Sequence, residues 1–114
     1  MICRSQLLTV GRLFDVAAAL LGFVREITFE GQAAMWVEHL ARAAPFAGVY
    51  PFPLVEGELD FRPLLGALVG DLRRGRDPAV CARAFQRGMA EGLWDAVKLL
   101  CGAHALDTVV LSGG

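Results

Sequence analysis

The 114-residue sequence is short of the side chains that build a metal centre. Its two histidines, His39 and His104, lie far apart and make no helical ligand pair. Its three cysteines, Cys3, Cys81 and Cys101, are odd in number and widely spaced. Neither a zinc site nor a disulfide framework fits that pattern, and reduced, buried thiols of a cytoplasmic protein are expected. An excess of either charge is also missing. Eleven Lys and Arg stand against twelve Asp and Glu, a net charge of −1, so the basic footprint of a nucleic-acid binder is absent. No apolar run is long enough to cross a bilayer, no signal peptide is read at the start, and no membrane partner is expected. A nucleophile with an accompanying base is not visible either, which leaves an independent enzyme without a motif. Strand-like stretches are scarce, and the sequence has no internal repeat.

What the sequence does have is helical periodicity in an apolar background of 55%. The chain reads as one domain over 1–114, with 1–8 as a mobile or weakly docked arm. Leu13, Val16, Ala17 and Leu20, with Phe14, Ala18 and Leu21 beside them, predict a first helix from Val10 to Leu21. Gly22 follows, where a helix end favours positive φ. Asp15 is the one acid in this block, and Arg12 stands three residues before it, within reach of an ion pair. Residues 23–29 read as an extended connector. A second helix is expected over Gly31 to Ala44, with Glu38 and Arg42 paired outside and Pro45 stopping it. Residues 45–57 combine Pro45, Gly48, Pro51, Pro53 and Gly57 with aromatics, and should lie packed across the helices. Phe46, Tyr50 and Phe52 read as core or cover rather than a stacking platform for bases.

Asp60 predicts the cap of a third helix, with Pro63 in its first turn. Arg73, Arg74 and Arg76 then cluster at its end, where the helix dipole favours cations as readily as a phosphate would. Asp77-Pro78 is the strongest start signal in the chain, opening a fourth helix that should end near Cys101 and Gly102. Within it Gly88 and Gly92, one turn apart, cost about 1 kcal/mol each relative to alanine. Close approach of another helix backbone is the expected compensation. Thr108 to Leu111, TVVL, reads as a short buried strand without a partner, followed by Gly113-Gly114. The fold class is therefore mainly α: four helices plus one short C-terminal strand. Self-association, most simply a homodimer, is expected through that unpaired strand.

Several of these strings together resemble a known family. GRLFDVAAALLG and FEGQAAM, then YPFPL, ELDFRPLLGAL, CARAFQRGMAE and the closing TVVLSGG, are similar to the C-terminal region of the hydrogenase maturation carbamoyltransferase HypF. That region is similar in turn to the tRNA threonylcarbamoyladenosine synthase TsaD, within the actin-like ATPase superfamily. The resemblance covers Gly11 to Gly114 and implies a partial subdomain of an actin-like fold. It implies ATP or carbamoyl-adenylate as the cofactor, and a HypE-like protein as the partner that receives the carbamoyl group.

On this resemblance Asp15 matches an aspartate that contacts the nucleotide ribose, and a carboxylate suits both ribose hydroxyls. Gly31, with Glu30 before it, matches a glycine at the following helix start, and Gly113-Gly114 match the phosphate-side glycines. A surface acid neutralised by Arg12 is the plain alternative for Asp15. The paired-histidine metal motif and the second phosphate loop of the family are not among these residues. The resemblance thus implies one wall of a two-walled nucleotide site, inactive alone. The alternative is a non-catalytic helical binding or assembly module that kept the fold and lost the chemistry.

Overall fold

In the computed structural model, residues 10–46 and 48–110 are described. The order of elements is α1 (Val10–Leu21), α2 (Gln32–Ala41), β1 (Leu54–Val55), β2 (Glu58–Leu59), α3 (Arg62–Arg73) and α4 (Pro78–His104). Four helices in a mainly α architecture are as the periodicity predicts. At about 1.5 Å rise per residue, a helix of α4's length spans roughly 40 Å, which accounts for the 43 Å long axis of the molecule. The other three helices pack along or beside it.

The core is built from one line of each helix. Leu13, Ala17, Ala18 and Leu21 of α1 meet Ala33, Val37 and Ala41 of α2, Leu64 and Leu68 of α3, and Cys81, Ala84, Phe85 and Met89 of α4. Alanine is the commonest residue in this list, which lets the helix axes approach closely, and Phe85 is fully buried among them. Phe14 meets Phe85 edge to face at 5.5 Å between centroids. Val16 and Leu20, expected in the apolar stripe of α1, stay 38% and 42% exposed.

The helix ends show local chemistry. The Asp77 carboxylate accepts from the Ala79 amide at 3.0 Å, as a cap should. Asp60 acts one residue ahead of the α3 cap position, where its carboxylate accepts from the Arg62 amide at 3.0 Å and from the Arg62 guanidinium at 2.8 and 2.7 Å. Helix α2 starts one residue later than expected and stops at Ala41, before the predicted Ala44. Its last turn tightens, with Ala43 and Ala44 donating to carbonyls three residues back, because the residue before Pro45 disfavours helical backbone. Helix α4 runs past Gly102 to His104. Its ending is supplied by Ala105 at φ 54 and by the Leu106 amide donating to Cys101 at 3.0 Å.

The reading of the C-terminal segment as a buried strand fails over its described part: Thr108–Val110 form no strand and are exposed, Val110 by 82%, while Leu111 lies outside the described residues. The only pairing described is a small hairpin instead. Leu54 faces Leu59 and Val55 faces Glu58, joined by Glu56-Gly57 with φ of 51° and 81°. Positive φ at both turn residues matches the right-handed twist of the flanking strands.

The segment leading into this hairpin explains Gly88 and Gly92. The atoms nearest to a Cβ built on either glycine belong to no helix but to Tyr50 and Phe52. The chain at Tyr50–Phe52 crosses α4 there as a strap, with the Tyr50 amide donating to the Ala84 carbonyl at 3.2 Å. A Cβ on Gly88 would overlap the Tyr50 carbonyl, and one on Gly92 would stand 2.6 Å from Phe52. The expected close approach is real, and its agent is irregular backbone.

Candidate functional site

Asp15 lies midway along α1, half-buried. It makes no hydrogen bond or ion pair with another described residue, so the predicted pairing with Arg12 is not formed. Glu30 and Gly31 are exposed at the start of α2, which packs against α1. Gly31 adopts φ 82, a conformation that suits glycine, and the space an added Cβ would occupy there is open. Gln32 reaches back so that its Oε1 accepts from the Thr28 amide at 2.7 Å, which fixes the entry into the helix. Adjacent helices thus carry Asp15 and the Glu30-Gly31 pair, with no direct hydrogen bond described between them. Gly113 and Gly114 lie outside the described residues.

The strongest electrostatic arrangement lies elsewhere, at the end of α3. Asp71 is buried on the same line as Leu64 and Leu68. Its carboxylate accepts from the Tyr50 hydroxyl at 2.7 Å, from Arg76 at 2.5 Å and from Arg74. The Tyr50 hydrogen bond, followed by that of Arg76, pulls the Asp71 carboxyl down to about 2 against the opposing effect of burial. Burial pushes the Tyr50 phenol well above its ordinary value, and the bond to Asp71 adds to it. Two members of the arginine cluster therefore serve a buried acid that ties the strap to α3. Periodicity alone hid this, since an acid in an apolar line reads as a helix-surface residue.

Two shallow depressions flank the strap. One, of about 280 Å³, is lined by Tyr50, Phe52, Gly88, Glu91, Gly92 and Asp95. The other, of about 250 Å³, is lined by Phe46, Arg83, Gln86, Arg87 and Ala90. Phe46, expected as cover, is 56% exposed, and the Arg87 guanidinium lies 5.5 Å from its ring centroid. Trp94 is 59% exposed on α4. Asp15, Glu30 and Gly31 line neither depression.

The family profile described as "Carbamoyltransferase, Kae1-like Domain, second subdomain" matches residues 4–114. The chain belongs to this carbamoyltransferase family. As a Kae1-like second subdomain it is 40% identical over 108 residues to carbamoyltransferase HypF of Rhizobium leguminosarum bv. viciae, and 39% identical over 110 residues to that of Synechocystis sp.. Each match covers 93% of this chain and 14% of the relative's length. The solved structure of full-length HypF in its phosphate- and nucleotide-bound form superposes with a TM-score of 0.82 at 31% identity, over 93% of this chain and 17% of that one. The subdomain seen here therefore corresponds to a small part of much longer proteins. Among the described residues, no helix of the subdomain is long and apolar enough to cross a membrane.

Proposed function

We propose that this chain supplies one wall of the nucleotide site of a HypF-type carbamoyltransferase. The observation that carries the reading is the close superposition on HypF in a phosphate- and nucleotide-bound form. The residues present suit a ribose: Asp15 offers a carboxylate with no partner among the described residues, and Gly31 opens α2 without a side chain. Asp15 accepts hydrogen bonds from the ribose hydroxyls and Glu30-Gly31 border the sugar, while the phosphate-side role of Gly113-Gly114 rests on the family resemblance alone. When bound, ATP would supply the adenylyl group taken up by the carboxylate of carbamate, left when carbamoyl phosphate loses its phosphate, to give carbamoyl-adenylate with pyrophosphate leaving. The whole protein, an actin-like ATPase of the cytoplasm, then passes the carbamoyl group to a HypE-like partner in hydrogenase maturation.

Alone, the chain is expected to be inactive, because phosphoryl and adenylyl chemistry needs charge stabilisation from several directions. A chimera tests this: the matching segment of Rhizobium HypF is replaced by the present chain, and nucleotide binding and carbamoyl-phosphate-dependent AMP release are followed. Asp15→Asn in the chimera should weaken nucleotide binding about tenfold, the worth of a charge-assisted hydrogen bond, at unchanged melting temperature. A large loss of stability with binding intact would reduce Asp15 to a structural residue. AMP release by the isolated chain, abolished by Asp15→Ala, would refute the single-wall reading.

A further inference from the structure

The charges of this near-neutral chain are unevenly placed. Between Asp71 and Arg87 stand Arg73, Arg74, Arg76, Arg83 and Arg87, five of the chain's 11 basic residues, with only Asp71 and Asp77 opposing them. The Asp71 carboxylate takes Arg74 and Arg76, and Glu91 takes Arg87 at 2.9 Å. Arg83 is different. It is half-buried and makes no hydrogen bond or ion pair with another described residue. It lines the depression of about 250 Å³ together with Gln86 and the exposed Phe46 ring. Positions 83, 86, 87 and 90 recur at helical spacing, so α4 presents them as one rigid face. Phe46 is held against that face by the Arg87 guanidinium.

From this juxtaposition we propose that the Phe46–Arg83–Gln86–Arg87 face is a docking site for an acidic polypeptide segment. Arg83 takes a carboxylate through its planar fork of donors, Gln86 donates beside it, and Phe46 covers the apolar stem or a neighbouring aromatic ring. A guanidinium fixed on a helix and stripped of part of its water gives more to a carboxylate than a freely solvated one does. Nucleic acid is the poorer fit, because the face is one depression wide and the chain as a whole is slightly acidic. The site is separate from the proposed nucleotide wall, which shares none of these residues.

The full chain is titrated against a fluorescein-labelled Glu-rich peptide with a central tyrosine, and anisotropy is read at low and at physiological salt. Saturable binding that weakens with salt is expected. Arg83→Ala should weaken it about tenfold and Phe46→Ala severalfold. Arg73→Ala, which removes the same charge outside the depression, should leave it near the wild-type value. Arg83→Gln keeps most of the side-chain bulk and reads the site if the alanine variant melts early. No binding by the wild-type chain would overturn the proposal. Equal losses for Arg73→Ala and Arg83→Ala would do so too, by reducing the effect to overall charge. Equally tight binding of a labelled single-stranded oligonucleotide through Arg83 would assign the face to a different partner class and refute this one.

Discussion

Tyr50 and Asp71 hold one another in opposite protonation states, one neutral and one charged, across the join between strap and helix. The pH dependence follows from the direction of each shift. Asp71 has a depressed carboxyl, so its contribution is complete above the unfolded value of about 4 and is lost as pH falls towards about 2. Tyr50 has a raised phenol, so its contribution is complete below about 10 and is lost as pH rises further. Urea melts from about pH 3 to about pH 11 should therefore show a plateau falling at both ends. Tyr50→Phe should lower the plateau by about 1–3 kcal/mol, the cost of leaving a buried charged acceptor one donor short. It should also remove this group's share of the alkaline fall. An unchanged plateau would mean that Arg74 and Arg76 satisfy Asp71 without the phenol.

At the level of elements, two glycines in helices should respond with opposite signs. Gly88→Ala pushes a methyl into the Tyr50 carbonyl and should destabilise by about 1–3 kcal/mol, as overpacking does. Gly66→Ala, in α3 with open space around it, should stabilise by about 0.5–1 kcal/mol through helix propensity. Parallel thermal melts of the two variants decide the matter. Helix α1 was legible to its end residues because apolar spacing and Gly22 agree, and α4 announced its start through Asp77-Pro78. The hairpin was not legible, since two residues per strand are too few to display a period and only Glu56-Gly57 hinted at a turn. Gly88 and Gly92 revealed that something comes close, but spacing within a helix carries no record of what. The candidate site was legible only through resemblance: nothing in the pattern around Asp15 distinguishes a ribose acceptor from a surface acid.

For the molecule as a whole, the matched region is 14% of the length of its HypF relatives, and its surface suits a part that is covered in a larger protein. Trp94, Leu99, Leu106 and Val110 are 59%, 61%, 57% and 82% exposed, and such apolar surface drives association when left uncovered. Light scattering should find the isolated chain self-associated, and a chain ending at Ala105 less so. Monomers in both cases would dispose of that expectation. The strap has a different consequence, in the order of events during synthesis. Tyr50 and Phe52 are made before Gly88 and Gly92, the positions they cover, so their rings leave the ribosome with nowhere to dock. Helices α1 and α2 can pair while translation continues. The strap must wait for α4, which makes it a late-seated part of the fold and its aromatics the residues most exposed to misassociation in the interval.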